Sequence, residues 1–410
     1  MRVLRGFGIF VGVLVILAVG LYGPVTLLAP LPDAKMASRS VELDSTGTPP
    51  VLPDVGATAI TESAKGPVLA QSGETESVPM AGIAKVLLAL VVLDAKPMTP
   101  DGDGETVPIT SRDFLSYNNY QDAGARAVTV YTDDTWSQRA VLQAVLLGSS
   151  NNHADTLAAW AFGSVDKYID EATMWLDEHE LDDTAVVDAT GLSSDDVSTA
   201  SDLSRLAALA MANPVIPTVL THEVSGIAQT RGVENTTSYM ADRGVTGISR
   251  SFTTQAGICL LFAATVTVDD DEYTFYGAFV RMPDWASLDD SINALMDSAE
   301  KGVHTGPVLP RDTPVATFTT QWGEEATGVI GSSATATRWV SGKPTVHVKT
   351  DGFAVATQGD IVATATVSEG TSVVEIPVKI DRTIQSPEVL WKLGHPFELI
   401  PAFFGQFFAG

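Results

Sequence analysis

A proline-led loop enters a long apolar helix at Val78-Pro79-Met80-Ala81-Gly82-Ile83-Ala84-Lys85-Val86-Leu87-Leu88-Ala89-Leu90-Val91-Val92-Leu93. Lys85 lies on the first turn of this predicted helix and is followed by eight uncharged residues. Burying a lysine is costly, so its presence here needs a reason. One interpretation is that its alkyl stem covers apolar surface while the ammonium reaches water. The other concerns position 82, which lies on the same helix face.

In the Ser-x-x-Lys device, a serine three residues before a lysine places its hydroxyl beside the amine. Here the residue three before Lys85 is Gly82, so the hydroxyl is missing. The full motif reads Pro79-Met80-Ala81-Gly82-Ile83-Ala84-Lys85. It resembles the Pro-x-Ala-Ser-x-x-Lys motif of the D-alanyl-D-alanine carboxypeptidase family, the low-molecular-mass penicillin-binding proteins that trim peptidoglycan stem peptides. In that family the motif also precedes an apolar helix.

The second family motif is Ser-x-Asn, placed between two helices. The segment Leu147-Gly148-Ser149-Ser150-Asn151-Asn152 fits it. The resemblance implies that Ser149 matches the proton-relay serine and Asn151 the substrate-binding asparagine. Taken alone this motif has low specificity, because Ser-x-Asn also arises by chance.

The third family motif is Lys-Thr-Gly, on the edge strand that grips the substrate carboxylate, within Gly-Ile/Val-Lys-Thr-Gly-x-Thr-x-x-Ala-Gly. The chain reads Gly247-Ile248-Ser249-Arg250-Ser251-Phe252-Thr253-Thr254-Gln255-Ala256-Gly257. The frame is kept, but Ser249 replaces the lysine, Arg250 the threonine and Ser251 the glycine. Alternate residues of a strand face opposite sides, so we expect the charge of Arg250 to point elsewhere than a lysine at 249 would.

Two more segments follow the family in the same order along the chain. They are Asp188-Ala189-Thr190-Gly191-Leu192 and Ser198-Thr199-Ala200-Ser201-Asp202-Leu203. The resemblance covers residues 55–304 and implies a beta-lactamase/transpeptidase-like domain. The predicted element order agrees with it, because strands, then helices, then strands and a helix indicate an α+β fold, an antiparallel sheet with segregated helices.

The pattern of apolar residues gives the elements of this domain. Strands are predicted at 55–60, 67–71, 244–252, 257–268 and 272–281, and helices at 82–93, 136–147, 153–162, 165–178, 201–213 and 288–302. Asp269-Asp270-Asp271 is predicted to form the tight turn between the last two strands. Residues 96–127 are polar and irregular, which predicts a loop region with short pieces of structure.

Three prolines within residues 305–314 indicate a domain boundary. Beyond it, alternation at 315–319, 345–349, 361–367 and 372–380 predicts strands, with Glu369-Gly370 at a hairpin turn. Short strands separated by turn signals predict a small all-β sandwich domain over residues 305–386. Members of the family often carry such a domain after the catalytic one.

The N-terminal residues 1–30 carry Arg2 and Arg5 before an uncharged, largely apolar stretch, 6–30, that is long enough to span a bilayer. The two arginines predict a cytoplasmic N-terminus and a single-pass anchor in the cell membrane, with the bulk of the chain outside the cytoplasm. A cleaved signal peptide is the alternative, but no clean small-x-small site follows the apolar run. Residues 31–54 lack periodicity and predict a linker.

The C-terminal tail, residues 387–410, is apolar and aromatic. Its large aromatic residues are Trp391, Phe397, Phe403, Phe404, Phe407 and Phe408. Pro396, Pro401 and Gly405 are expected to interrupt any long helix. For residues 401–410 we predict membrane contact, because four exposed phenylalanines would otherwise invite aggregation. For residues 391–400, packing on the β domain is an equal alternative.

Composition excludes several kinds of site. The net charge of −26 argues against nucleic acid or anionic lipid as a partner of the soluble part. The single cysteine, Cys259, excludes an intramolecular disulfide, and its apolar surroundings predict a buried, inert thiol. His153 and Asp155 are close in sequence, but zinc sites need three or four convergent ligands, so we predict no metal and no cofactor. His153 is predicted to be a solvated helix residue.

Two other segments also spell Ser-x-x-Lys, at Ser164-Val165-Asp166-Lys167 and Ser298-Ala299-Glu300-Lys301. Both fall on predicted surface helices with acidic neighbours. Neither has the downstream motifs in frame, so neither is a candidate for the nucleophile.

The changed motifs predict a pseudoenzyme. Gly82 offers no oxygen, so no acyl-enzyme can form there, and the cation at position 249 is lost as well. Lys85, Ser149 and Asn151 are then vestigial, and the protein binds a peptidoglycan peptide or a cell-wall protein through the old cleft or the β domain. The alternative is a working D-alanyl-D-alanine carboxypeptidase with an unusual nucleophile such as Ser149. Fold alone does not decide between these functions.

Overall fold

The protein is described by a computed structural model that covers residues 2–41, 47–333, 335–340, 345–369 and 372–408. The chain divides into two compact units. The helix–sheet unit comprises Thr46–Thr305 and Thr337–Gly342. The sheet unit comprises Met1–Ser45, Gly306–Ala336 and Lys343–Gly410.

The α-helices, in chain order, are α1 Arg2–Leu28, α2 Ala84–Ala95, α3 Ser111–Asp122, α4 Gln138–Leu146, α5 Asn151–Phe162, α6 Val165–Glu178, α7 Ala200–Ala212, α8 Ile216–Thr221, α9 Gly226–Thr230, α10 Trp285–Gly302, α11 Val389–Gly394 and α12 Pro396–Phe408. Short 3-10 helices cover Ala81–Ile83 and Ala241–Arg243.

The strands are β1 Lys35–Ser38, β2 Ala57–Thr61, β3 Val68–Gly73, β4 Val78–Pro79, β5 Thr106–Pro108, β6 Thr135–Ser137, β7 Val197–Ser198, β8 Val245–Thr253, β9 Gly257–Val268, β10 Asp271–Met282, β11 Val303–Pro307, β12 Pro314–Thr319, β13 Glu325–Ile330, β14 Thr335–Trp339, β15 Thr345–Lys349, β16 Ile361–Glu369 and β17 Ser372–Ile380.

The helix–sheet unit is built on a five-stranded antiparallel sheet of order β3-β2-β10-β9-β8. Asp269 and Asp270 turn the chain between β9 and β10, and Asp269 adopts a left-handed φ of 55°, which short polar side chains tolerate. The predicted α+β class, an antiparallel sheet with segregated helices, is confirmed. Strand β8 lies at the edge of this sheet.

The sheet is covered on both faces, and side chains of β9 alternate between them. Cys259 and Leu261 join the apolar cluster that contains α2 and α7, whereas Leu260 and Phe262 join the cluster that contains α10. Helix α2 is buried on every side over Ala84–Leu93. A helix that is hydrophobic all round belongs inside a core. The first turn of α2, which includes Lys85, is therefore buried as well.

The sheet unit contains a six-stranded antiparallel sheet of order β1-β12-β13-β17-β16-β15. Its core includes Phe318, Ile330 and Val378, each fully buried. The first of these strands, β1, lies within the predicted linker 31–54 and pairs with β12. The predicted hairpin turn at Glu369-Gly370 includes Gly370, which lies outside the described residues.

The region predicted as irregular, residues 96–127, contains β5 and the twelve-residue helix α3. This expectation was wrong because a capping signal outweighed the polar composition. Asp113 Oδ2 accepts a hydrogen bond from the Thr110 backbone N–H at 2.8 Å, in a capping box that fixes the first turn. The short helices α8 and α9 were not predicted either.

Helices begin and end the part of the chain that the structure describes. In α1, the hydroxyl of Tyr22 donates to the carbonyl of Leu393 at 2.5 Å. Pro401 lies inside α12 rather than ending it, contrary to expectation. Trp391 packs edge-on against Trp322 of the sheet unit, with ring centroids 5.7 Å apart. Among the described residues, no helix combines the length and apolarity that a membrane span requires.

The predicted membrane contact at 401–410 falls partly outside the described residues, since the side chains of Phe407 and Phe408 and all of residues 409–410 are not described. Of the described tail residues, Phe397 is 90% exposed and Leu399 is fully buried. Residues 391–400 therefore contribute to both the interior and the surface.

Candidate active site

A cleft of about 830 Å³ in the helix–sheet unit collects the residues singled out by all three motifs. From those motifs it is lined by Gly82, Lys85, Ser149, Asn151, Arg250 and Ser251. Ser249 is buried in a smaller adjoining recess, together with Gly82, Lys85 and Ser149. The start of α2, the turn between α4 and α5, and the edge strand β8 thus meet at one place.

Lys85 is 4% exposed, so its ammonium does not reach water along the alkyl stem. Its Nζ atom donates to the carbonyl oxygen of Thr190 at 2.5 Å. Burial lowers the pKa of Lys85 to about 8, against the opposing attraction of Asp188 and Asp155. At neutral pH this amine is therefore close to its titration range, as in a general base.

Asp188 holds the segment that supplies the Thr190 carbonyl. Its Oδ1 accepts from the backbone N–H groups of Thr190 at 2.6 Å and Gly191 at 2.7 Å, and its Oδ2 accepts from that of Ser193 at 2.9 Å. Burial alone would raise the pKa of Asp188, but these backbone donors hold it below its ordinary value. The ionised Asp188 carboxylate therefore stabilises the conformation of this turn through backbone hydrogen bonds.

Gly191 makes a close backbone approach to the start of α2. Its φ is +75°, and an added Cβ would lie 1.7 Å from the Ala81 carbonyl oxygen. Ala81 itself has a left-handed φ of 51°, which is uncommon for alanine and costs strain. The strained Ala81 and the close approach of Gly191 together fix the main chain at the position before Gly82.

A second carboxyl group, Asp196, lies beside Asp188. Asp196 Oδ1 accepts from the backbone N–H groups of Val187 at 2.6 Å and Asp188 at 3.2 Å. Its Oδ2 is buried, and the protonated Asp196 carboxyl shares a side-chain hydrogen bond with Asp188. Burial and the charge of Asp188 raise the pKa of Asp196 to about 7.

Two serine side chains lie close to the point where a side chain of residue 82 would begin. A Cβ added to Gly82 would lie 3.1 Å from the Cβ of Ser251, and 3.5 Å from the Oγ of Ser149. Ser251 Oγ is buried and has no hydrogen-bond partner among the described residues. The site therefore has serine hydroxyls next to the nucleophile position, but none on it.

The Ser-x-Asn segment is positioned by the start of α5. Ser149 adopts a left-handed φ of 48°. Ser150 caps the helix by accepting from the backbone N–H of His153. Asn151 Nδ2 donates to the Arg126 carbonyl at 2.9 Å, while its Oδ1 is buried without a partner in the described part of the chain. That oxygen is free to accept a hydrogen bond from a ligand.

Arg250 lines the cleft, and its guanidinium is held by aromatic faces. It lies 4.4 Å from the ring centroid of Trp285 and 5.5 Å from that of Tyr239. The Tyr239 hydroxyl donates to Asp289, so that carboxylate has its own partner. Cation–π contacts orient a guanidinium without neutralising it. A cation therefore remains near the third motif, one residue beyond the position of the lost lysine.

These three motifs lie in the segment matched by the model of one protein family. The D-alanyl-D-alanine carboxypeptidase model matches residues 48–270, more than half of the 410 residues. The chain belongs to the D-alanyl-D-alanine carboxypeptidase family. The resemblance inferred from the motifs is therefore confirmed.

Three individual proteins are similar to this chain in sequence or in fold. The D-alanyl-D-alanine endopeptidase of Pseudomonas aeruginosa PAO1 is 27% identical over 219 residues, which cover 52% of this chain and 67% of that protein. Penicillin binding protein 6B from Escherichia coli has a similar fold, with a TM-score of 0.59, 16% identity and coverage of 83% and 99% of the two chains. The D-alanyl-D-alanine carboxypeptidase of Francisella tularensis gives a TM-score of 0.55 at 16% identity, covering 85% of this chain and 95% of that chain.

One network near the cleft of this carboxypeptidase-family protein was not anticipated from the sequence. Asp155 Oδ2 accepts from the hydroxyls of Tyr120 at 2.9 Å and Ser116 at 3.0 Å. Ser116 and Tyr120 are four residues apart, so they share a face of α3. That spacing was the available signal, but it only has meaning once the segment is recognised as a helix.

His153 is not solvated, contrary to expectation, but fully buried against Trp136 with ring centroids 4.4 Å apart. Burial lowers the pKa of His153 to about 3, so the ring is neutral at pH 7. Cys259 is buried and its pKa is raised by burial to about 12, which confirms the prediction of an inert thiol.

The other Ser-x-x-Lys segments have structural roles. Ser164 caps α6 by accepting from the backbone N–H of Lys167 at 3.2 Å. Ser298 is buried rather than on the surface, and its hydroxyl donates to the Leu295 carbonyl at 2.7 Å. Neither serine lines the cleft.

Proposed function

We propose that the protein is a non-catalytic member of the D-alanyl-D-alanine carboxypeptidase family, which uses its cleft to bind a cell-wall peptide without acylation. The observation that carries the proposal is the absence of a side chain at Gly82, beside the retained Lys85. In a serine hydrolase of another family, loss of the nucleophile costs about a million-fold in turnover. A retained base cannot replace the missing oxygen.

The charge of the cleft supports a binding function. Three cationic side chains line it, Lys85, Arg126 and Arg250, and none of its lining residues, all within 47–333, is acidic. The whole chain has a net charge of −26, so a cationic cleft is a local exception. Such a cleft attracts anions. We infer that the ligand carries a carboxylate, as a peptide with a free C-terminus does.

The rim of the cleft is apolar. Leu192, Phe252 and Trp285 line the cleft and are 44%, 60% and 38% exposed. Exposed apolar groups that surround polar ones are typical of binding sites. A peptide whose carboxylate meets Arg250 would place its preceding residues against this rim.

A working carboxypeptidase with Ser149 as nucleophile is the second candidate. One observation favours it: Lys85 remains buried with a pKa of about 8, although a buried amine is costly. Ser149 Oγ would lie 3.5 Å from a Cβ at position 82, so it is next to the nucleophile position. Ser149 lies in the turn between α4 and α5, however, and not at the start of α2. It also matches the residue that relays protons in the family motif.

The sequence supports a location at the cell membrane, with the bulk of the chain outside the cytoplasm. This part of the proposal rests on the uncharged stretch 6–30 after Arg2 and Arg5. N-terminal sequencing of protein extracted from membranes should give a start at or next to Met1. A mature start near Ala34 or Ser38 would indicate a cleaved signal peptide instead.

The binding function is tested by calorimetric titration with two synthetic stem peptides ending in D-alanyl-D-alanine. One has a free C-terminal carboxylate and the other a carboxamide. We expect the free acid to bind and to be recovered intact, and the amide to bind at least about tenfold more weakly, which is about 1.4 kcal/mol. Release of D-alanine with repeated turnover would contradict the proposal and favour the second candidate.

A further inference from the structure

Gly82 and Ser251 are neighbours in the cleft. An added Cβ at position 82 would approach the Ser251 side chain to 3.1 Å at Cβ and 3.4 Å at Oγ. Carbon atoms in contact prefer about 3.5 to 4.0 Å. A side chain at 82 would therefore be a few tenths of an ångström too close to the present side chain at 251.

The backbone does not explain the glycine at 82. Gly82 lies in the 3-10 helix Ala81–Ile83 and is not among the described glycines with positive φ. Gly191, in the same site, shows what a backbone requirement looks like, with φ +75° and a Cβ that would meet the Ala81 carbonyl oxygen. What restricts position 82 is the neighbouring side chain.

Ser251 is not explained by its own hydrogen bonding. Its hydroxyl is buried and has no partner among the described residues, an arrangement that destabilises a fold. In the family motif the same position is glycine, and position 82 is serine. The two positions have exchanged residue types, so that one serine and one glycine are present in either arrangement.

We propose that Gly82 and Ser251 form a reciprocal pair, in which Ser251 occupies the volume that a side chain at position 82 requires and thereby fixes the cleft in its non-acylating form. The inference rests on the proposed non-catalytic function and adds the residue that maintains it. A single Gly82→Ser substitution would then require the Ser251 side chain to move.

The test is a cycle of thermal unfolding measurements on wild type, Gly82→Ala, Ser251→Gly and the double variant. Alanine in a right-handed helical position normally stabilises relative to glycine. With Ser251 present, we expect Gly82→Ala to leave Tm unchanged or lower it. In the Ser251→Gly background, we expect the same change to raise Tm by about 2–4 °C.

Two matched variants identify the contact. Ser251→Ala keeps the Cβ atom, so Gly82→Ala should again leave Tm unchanged or lower it in that background. Ser249→Gly removes a neighbouring serine whose atoms are not among those nearest the added Cβ, so Gly82→Ala should behave there as in wild type. An equal effect of Gly82→Ala in the Ser251→Gly and wild-type backgrounds would overturn the proposal.

A second readout separates this inference from the proposed function. Gly82→Ser and Gly82→Ser/Ser251→Gly are incubated with a fluorescent penicillin, and the labelled fraction is measured by intact mass. We expect at least about tenfold more label on the double variant than on Gly82→Ser. Measurable and equal labelling of the two contradicts the reciprocal pair, and the Tm cycle decides if neither variant is labelled. Label on the wild-type protein would instead contradict the proposed function, whereas the Tm cycle would still report on the pair.

Discussion

The Nζ atom of Lys85 donates a hydrogen bond of 2.5 Å to the main-chain carbonyl of Thr190, inside a region where the lysine is 4% exposed. The carbonyl is aimed by the Asp188 turn, which collects backbone N–H groups on one ionised carboxylate. A buried amine is thus held in place by the loop rather than by a serine at position 82. The fold therefore retains the lysine of the Ser-x-x-Lys motif, which is costly to bury, although the nucleophilic serine is absent.

Replacing this lysine should change the pH dependence of stability. The pKa of Lys85 is about 8 in the fold against 10.5 as the ordinary value, so the unfolded chain binds more protons between these pH values. Wild-type stability from this group therefore rises as pH increases from 8 to 10.5. Lys85→Met lacks this pH-dependent contribution to the free energy of unfolding, which corresponds to roughly 3 kcal/mol.

We expect the free energy of unfolding of Lys85→Met, relative to that of wild type, to be highest below pH 8. This difference should shrink as the pH approaches 10.5. Urea unfolding at several pH values measures the difference. Lys167→Met, at an exposed lysine, is the matched control and should show no such trend. A constant difference for Lys85→Met over this range would mean that the folded state does not depress the lysine.

Asp196→Asn should act with the opposite sign. The folded pKa of Asp196 is raised to about 7 from 3.8, so the folded protein binds more protons than the unfolded chain in this range. The contribution of Asp196 to stability is therefore present at low pH and is lost as pH rises from 3.8 to about 7.

The asparagine variant keeps an oxygen that accepts from the Val187 and Asp188 N–H groups, but it does not titrate. We expect it to gain stability relative to wild type as pH rises towards 7, measured by denaturation at pH 5, 6 and 7. An unchanged difference across those pH values would show that Asp196 is ionised throughout.

Gly191→Ala should be strongly destabilising. The substitution places a Cβ at a φ of +75° and 1.7 Å from the Ala81 carbonyl oxygen, so the backbone must move. Strain of this kind costs about 1–3 kcal/mol before the steric clash is counted. Gly232→Ala is a matched control, because it has a similar φ of +78° with nothing within 4 Å of the added atom. Equal losses for the two variants would show that the approach to Ala81 is not tight.

Arg250→Gln should weaken binding of an anionic peptide. The guanidinium has no ion-pair partner within the described ranges and is held by Trp285 and Tyr239, so its charge is available to a ligand. We expect a loss of about 1.5–3 kcal/mol in binding the free-acid peptide and little change for its amide. Arg112→Gln, an exposed arginine on α3, makes the same change of charge away from the cleft and should leave binding unchanged. Equal effects on acid and amide would argue that Arg250 does not contact the carboxylate.

Much of the framework could be predicted because it depends on local patterns. The apolar runs of α2 and β9 reflect what each element buries, and both were placed to within about two residues, which is the usual disagreement over element boundaries. The carboxypeptidase motifs also came from sequence, since their order and spacing survive the changes at Gly82 and Ser249. Their convergence on one cleft is what the structure adds.

The remaining features depend on tertiary contacts. His153 stands in a polar segment, and only the packing of Trp136 over it decides that the ring is buried. The competition between Gly82 and Ser251 joins residues far apart in sequence through a 3.1 Å approach that no local pattern encodes. Helix α3 was missed for a different reason, because its Thr110/Asp113 capping signal was present but its composition is polar.

The central claim is that no acyl-enzyme forms in this cleft. The most direct measurement is intact mass spectrometry of the purified protein after prolonged incubation with benzylpenicillin, followed by peptide mapping. The account predicts the unmodified mass throughout, because Gly82 has no side-chain oxygen to attack the lactam. A mass increase of one penicillin, mapped to Ser149, Ser251 or any other cleft residue, would contradict it.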